Sequence, residues 1–346
     1  MEPLPSQRES IVSTAIKAFC KMFFGLLGVL IAVFIFSFLY SSFSSSPLLE
    51  SKTTLSILPD AEGKRELLPV STPAILQINI HGVIGDPQKI DAELMRNVLM
   101  DSRSGLLAGD RVKGILLHFN TPGGTVVDSD DIYRMINEYK ERYKIPVYGY
   151  VDGLCASGGM YIASTTDKMF AGPASIIGSV GVVIGPFFNI YDLMGKIGLQ
   201  ARTITAGLDK DTLNPTRPWK EGEDASIKAI TDFMYHRFVD VVTTARPQMD
   251  KAKLIQEYGA HVFDCVTAAK LGYVDEAMSS RDTALKALAA AANISNYQVV
   301  SLTPKNPWLS ELVSGKSPLF SGKIEHTFDS VPENIRTQPC YLYRYE

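Results

Sequence analysis

The sequence predicts a layered α/β domain behind one N-terminal transmembrane helix, and three observations predict it. Apolar, strand-like runs at 74–80, 114–119, 147–151 and 180–184 alternate with helical stretches, the pattern of sheets covered by helices. Residues 22–40 form a run of 19 without a charge, rich in Phe, Leu, Ile and Val, about the length that spans a hydrocarbon core. No internal repeat is visible, and the roughly 230 residues from Thr72 to Thr303 suit a single domain.

Taken in order, residues 1–21 read as a cytoplasmic N-terminus, 22–40 as the transmembrane helix and 41–71 as a tether. The domain follows at 72–303, and 304–346 is an irregular C-terminal tail. Arg8, Lys17 and Lys21 precede the apolar run, whereas the first charge after it is Glu50. Positive charge is retained inside, so the domain that follows is expected on the extracytoplasmic face of a bacterial-type cell membrane. A cleaved signal peptide is the alternative, but its apolar core runs only about 7–15 residues.

Within the domain, residues 128–143 carry a helical period. Ile132, Met135, Ile136, Tyr139 and Tyr143 recur at three and four, Asp128 or Ser129 is placed to cap, and Pro146 follows the end. A second helix is expected over 221–242, with Ile227, Ile230, Phe233, Met234, Phe238 and Val241 on one face for a core or a subunit interface. A formal net charge of −3 with dispersed Lys and Arg argues against a nucleic-acid surface. The four cysteines have neither metal spacing nor a Cys-x-x-Cys pair, and no cofactor or metal is expected. Cys155 reads as a small buried thiol, and a Cys265 to Cys340 disulfide stays open, since sequence does not give the distance.

Chemistry concentrates in Cys155-Ala156-Ser157-Gly158-Gly159-Met160-Tyr161-Ile162-Ala163. A serine between small residues, ahead of a helix, faces unpaired N–H groups, and the glycines let a carbonyl approach the backbone. Those are the needs of a nucleophile beside an oxyanion site, although a Ser N-cap followed by Gly is also ordinary turn chemistry. Upstream, the strand-like run ends at Asn120-Thr121-Pro122-Gly123-Gly124-Thr125. A glycine loop at the carboxyl end of a strand is where open α/β sheets bind ligands; no Gly-Lys-Ser/Thr follows, so it is not a Walker loop. Downstream, Ala206-Gly207-Leu208-Asp209-Lys210-Asp211 follows a short strand-like run at 201–205. A loop lysine is ordinarily a solvated cation, yet none of the five histidines lies in a loop flanking Ser157, and His118 sits inside an apolar run. Lysine serves as a base where burial lowers its pKa.

Together, Asn-x-Pro-Gly-Gly (120–124), Ala-Ser-Gly-Gly-x-Tyr (156–161), Gly-Ser-x-Gly-Val (178–182) and Gly-x-x-Lys-Asp (207–211) resemble the S49 serine peptidases, the membrane-bound signal peptide peptidase A family. The likeness runs from about 74 to 277. It implies Ser157 as nucleophile, Lys210 as general base and Ser179 as the hydroxyl that orients the lysine. The implied oxyanion donors are Gly158 and the Gly123-Gly124 loop, Gly124 being the one chosen. The fold implied is that of the Clp-protease and crotonase superfamily. Residues 262–275 resemble the segment that closes its core, and Met160 and Leu208-Asp209 depart from the pattern in ways that bear on substrate preference.

Longer members carry two related halves, and this chain carries one. The resemblance therefore implies a homo-oligomer in which Ser157 of one copy meets Lys210 of another. It also implies released signal peptides and similar extended, apolar peptides as substrates. Two other readings are a crotonase-like acyl-CoA enzyme, disfavoured by an extracytoplasmic domain, and a catalytically inactive membrane scaffold, disfavoured by the intact Ser157, Ser179 and Lys210 set.

Overall fold

The computed structural model describes residues 11–44, 52–304 and 340–342. Two units make up the chain, divided after Ser51. The first holds helix α1 (Ile11–Ser44). Its stretch Ile16–Phe36 has a mean hydropathy of 2.5 and is long and apolar enough to cross a membrane, which fits a single-pass anchor. Of the charges used to orient it, Arg8 and Glu50 lie outside the described residues, and Lys17 and Lys21 fall within α1.

The second unit runs, in chain order, β1 (Thr53–Leu58), β2 (Ala74–His81), α2 (Ala92–Asp101), β3 (Val112–Thr121), β4 (Gly123–Thr125), α3 (Val126–Tyr143), β5 (Val147–Ala156) and α4 (Gly158–Ala163). Then come β6 (Lys168–Ala171), β7 (Ile176–Gly178), α5 (Tyr191–Lys196), α6 (Ala225–Ala245), α7 (Lys251–Lys253), β8 (Val262–Asp264), α8 (Cys265–Leu271), α9 (Arg281–Ala291), β9 (Gln298–Pro304) and β10 (Cys340–Leu342). The main sheet has the order β1-β9-β2-β3-β5-β7-β8, with β6 also on β5. Its centre is parallel, and its edges β1 and β8 pair antiparallel.

The alternation along β2 shows why this is a layered fold. Leu76, Ile78 and Ile80 enter the larger core with Ile115, Leu117, Ile132, Ile136 and Phe238. Ile75, one step out of phase, enters a second core with Leu116, Leu285 and Leu288. Successive side chains of a strand point to opposite faces, so both faces are covered, α9 lying on one. Each Leu or Ile so buried contributes about 1.5–3 kcal/mol. The layered α/β class expected from the sequence is the one observed.

Several boundaries differ from the sequence expectation, each for a local reason. Residues 53–58, placed in the tether, are an edge strand in register with β9 from Thr53↔Pro304 to Leu58↔Val299. The strand expected at 180–184 is instead β7, because the chain turns at Ser179, where φ is +58°. The run at 201–205 forms no strand. Helix α3 starts at Val126, since Thr125 is its N-cap and accepts from the Asp128 amide; an oxygen one turn earlier than Asp128 satisfies the free N–H groups. On α6 the apolar stripe is buried only at its C-terminal end, with Phe238, Val239 and Val242 inside and Phe233 69% exposed. Most of the 304–346 tail, including Trp308 and His326, lies outside the described residues, but Cys340–Leu342 pairs antiparallel with β4. Cys265 is a free, buried thiol, its Sγ 3.5 Å from the Pro173 carbonyl.

Candidate active site

Strand β5 ends at Ala156 and α4 begins at Gly158, so Ser157 is the single residue of a sharp strand-to-helix turn. Its backbone has φ +54° and ψ −117°. For a residue with a Cβ that is a strained conformation, costing about 1–3 kcal/mol, and such strain persists only where the surroundings impose it. They do here. The Ser157 amide donates to the Gly178 carbonyl at 3.0 Å, and the Ser157 carbonyl accepts from the Tyr161 amide at 3.1 Å. Ser157 is 1% exposed. Sharp turns of this kind set out a nucleophilic serine at the top of a sheet in α/β-hydrolases.

The register of the sheet brings the second predicted hydroxyl alongside. Ala156 pairs with Gly178, so Ser157 and Ser179 are the next residues on two neighbouring parallel strands. Ser179 also has positive φ, is buried, and donates its amide to the His261 carbonyl at 2.8 Å. His261 is thereby placed beside Ser179 by tertiary pairing, which no sequence spacing around Ser157 reveals.

The glycine loop meets the serine turn from the other side. Gly123 donates its amide to Thr121 Oγ1 at 3.0 Å, its carbonyl accepts from the Ile84 amide, and the Thr125 amide donates to the Ile84 carbonyl. Strand alternation then turns the Gly124 peptide to the opposite edge, where β10 pairs. Only glycine fits at 124, because a Cβ there would stand 1.9 Å from the Ile84 carbonyl oxygen. Gly158 is equally constrained. A Cβ there would lie 2.5 Å from Ser129 Oγ and 3.3 Å from the Gly124 nitrogen, so the two expected oxyanion donors are neighbours. Ser129, fully buried with its Oγ donating to the Thr125 carbonyl at 2.7 Å, floors this contact. Sequence reasoning treated it only as a possible cap.

Other anchors hold α4 in place. Tyr161 donates its hydroxyl to Asp130 at 2.7 Å, and Arg237 from α6 bonds the same carboxylate at 2.6 Å. These contacts hold Asp130 below the ordinary carboxylate range against the opposing effect of its burial. Arg246, 2% exposed, joins Asp275 and Thr166 just beyond α4. Complete burial pushes the Cys155 thiol well up, so the cysteine two residues before Ser157 is no competing nucleophile.

Lys210 is elsewhere in character. It lies in an exposed turn after Gly207 and Asp209, both with positive φ, and no hydrogen bond or ion pair joins it to Ser157 among the described residues. The nearby Arg217 instead ties the turn together, bonding Asp211 at 2.8 Å and Glu223 at 2.7 Å. Leu208, Ile204, Phe188 and Ile197 are 95%, 86%, 71% and 69% exposed, an apolar surface large for a lone soluble domain. The structure thus brings together Ser157, Ser179, Gly124 and Gly158 and leaves Lys210 apart. No group of three or more potential metal ligands occurs among the described residues.

Comparison with known proteins adds a second line of evidence. The profile of peptidase family S49 matches residues 139–295. A Synechocystis protein named as a candidate protease is 30% identical over 206 residues, covering 59% of this chain and 73% of that one. The chain belongs to peptidase family S49. It is therefore of the serine peptidase class, with Ser157 inside the matched segment. A Methanocaldococcus jannaschii protein named as a candidate protease is 36% identical over 213 residues, 62% of this chain and 66% of that one, so the match spans just under two thirds of that relative. An Enterococcus faecium protein named as a candidate signal peptide peptidase is 27% identical over 285 residues, 79% of this chain and 82% of that S49 relative. Among solved structures, ClpP1 from Listeria monocytogenes is similar at 19% identity and a TM-score of 0.39, over 60% of this chain and 92% of that one.

Proposed function

We propose that this S49 chain is a membrane-anchored endopeptidase that cuts extended, apolar peptides, released signal peptides among them, with Ser157 as nucleophile and Lys210 of a neighbouring copy as general base. The observation that carries the reading is the strained Ser157 turn set against the Gly124 and Gly158 amides. Lys210 takes the Ser157 proton as the hydroxyl attacks the peptide carbonyl. The Gly124 and Gly158 N–H groups hold the tetrahedral oxyanion, and Lys210 returns the proton to the leaving amine. Water then repeats the sequence on the acyl-enzyme. Ser179, one strand away from Ser157, orients the incoming lysine.

Two features support the substrate and the assembly. The edge of β4 accepts an extended strand, since β10 of the chain itself pairs there, from Cys340↔Thr125 to Leu342↔Gly123; a peptide substrate would take the place of β10 by the same main-chain bonds. The exposed apolar arm that carries Lys210 needs cover, and a homo-oligomer supplies both the cover and the base. With α1 as anchor and Arg8, Lys17 and Lys21 toward its N-terminal end held inside, the catalytic unit faces the extracytoplasmic side.

The test is labelling with a fluorophosphonate followed by peptide mapping, beside hydrolysis of a signal-peptide-like fluorogenic peptide. The expected adduct is on Ser157, with loss of hydrolysis in proportion to labelling. Hydrolysis that survives complete Ser157→Ala replacement would overturn the proposal. Turnover of an acyl-CoA thioester with no serine adduct would favour the crotonase-like reading instead.

A further inference from the structure

A second cleft lies at the far end of α3 from the serine turn. On α2 and just beyond it, Arg96, Leu99, Met100 and Arg103 share one face at helical spacing, and on α3 Met135, Glu138, Tyr139, Arg142 and Tyr143 share another. Between them is a cleft of about 450 Å³, within the usual size of small-molecule sites. Ser129, under Gly158, and Arg142 are 13 residues apart on α3, roughly 20 Å at the helical rise. The cleft is therefore distinct from the candidate active site.

Its charge is unbalanced. Three guanidinium groups line it against one carboxylate, Glu138. Arg103 is fixed in place: Nη1 bonds Asp110 at 2.7 Å, Nε donates to Tyr139 Oη at 2.6 Å, and its guanidinium lies 3.7 Å from the centre of the Tyr143 ring. Its remaining nitrogen, Nη2, is buried without an acceptor. A buried donor left unpaired carries its full desolvation cost, and the fork of an arginine held on two sides is preorganised for an oxyanion. Arg96 and Arg142 are exposed, with no carboxylate partner among the described residues. Leu99, Met100 and Met135 give the same cleft an apolar side, Met100 being 66% exposed.

We propose that this cleft binds a phosphate or carboxylate oxyanion carried on an apolar body, Arg103 and Arg142 clamping the anion and the Met100 side covering the chain. A phospholipid headgroup and a soluble organic anion share that chemistry. The site does not depend on the peptidase reading.

The experiment uses the full chain in phosphatidylcholine nanodiscs, titrated calorimetrically with hexyl phosphate, with hexanol as the neutral control. Hexyl phosphate is expected to bind and hexanol not. Arg142→Gln, at an exposed position that leaves the fold intact, is expected to weaken binding about tenfold or more, the loss of one charge-assisted contact. Arg103→Lys keeps the charge but loses the fork, and is expected to weaken it as well. Phenylglyoxal labelling of Arg96 and Arg142, read by peptide mapping, should slow in hexyl phosphate. Phosphatidylglycerol in the disc that competes with hexyl phosphate assigns the anion to a lipid headgroup; undiminished hexyl phosphate binding in such discs assigns it to a soluble molecule. No heat at millimolar hexyl phosphate, or equal binding by wild type, Arg142→Gln and Arg103→Lys, would overturn the site.

Discussion

The turn around Ser157 and the arm around Lys210 are built on opposite principles. Ser157 is held in a strained backbone by amide and carbonyl bonds to two neighbouring elements, over a helix that is buried at every residue. The arm from 183 to 220 is exposed along most of its length, has one six-residue helix, and is tied internally by Arg217. One half of the proposed dyad is thus preorganised within a single chain, and the other is presented outward. The proposed interface between copies would account for both features.

The largest effects should come from the preorganised half. Ser157→Ala is expected to lower kcat by about 10⁴-fold or more in peptide hydrolysis. Ser157→Gly should do the same while raising unfolding free energy by about 1 kcal/mol in urea titration, because glycine relieves the positive φ. A loss of stability in Ser157→Gly would contradict the strain assigned to that turn. Gly124→Ala drives a methyl group into the Ile84 carbonyl and should cost about 3 kcal/mol or more. Gly158→Ala meets the Ser129 hydroxyl most closely, at 2.5 Å, so adding Ser129→Ala should restore part of its stability; failure of that rescue would show the limiting contact to be elsewhere.

The outward half should respond differently. Lys210→Ala is expected to lower kcat by about 10²–10⁴-fold with little change in Tm, since the residue is exposed. Removal of residues 305–346 frees the β4 edge from β10 and should lower KM severalfold in the same assay; an unchanged KM would mean that peptides bind elsewhere.

Away from the site, pH should act on the domain as a whole. Burial, then the neighbouring His81, pushes His118 down to about 4. His81 Nε2 and His118 Nδ1 are 3.2 Å apart, and His118 Nε2 stands 3.6 Å from Asp152, beyond hydrogen-bond length. The unfolded chain takes up this proton near the ordinary histidine value while the folded chain refuses it, so stability is complete above about 6.5 and falls as pH drops toward 4. The expected loss is of order 3 kcal/mol, and His118→Phe should flatten that window in chemical denaturation.

How much of this was legible in the sequence follows from what is local. Strand β3 and helix α3 announce themselves by period and by turn residues, and Ser157, Ser179, Gly124 and Gly158 stand in short motifs whose geometry is set within a few residues. The misses are long-range. Strand β1 looked like tether because its role is fixed by pairing with β9, over 200 residues away. Ser129 and the Asp130, Tyr161, Arg237 cluster come together through packing of α3, α4 and α6, and His261 reaches Ser179 through the pairing of β7 with β8. Phe233 and Ile230 read as core or subunit interface by helical phase, and their exposure removes the first alternative; a period says only that a face is apolar, not what covers it.

The most direct test of an inter-copy dyad is reassembly of two inactive chains. Ser157→Ala and Lys210→Ala proteins are unfolded, mixed in equal amounts and refolded together, with subunit exchange confirmed by mass labels, and hydrolysis of the fluorogenic peptide is followed. The account predicts that the mixture regains a measurable fraction of wild-type kcat, because some sites combine an intact Ser157 with an intact Lys210 from another copy. Activity no greater than that of the two variants apart, in verified mixed assemblies, would contradict it and place the general base within the serine's own chain, with His261 the first residue to examine.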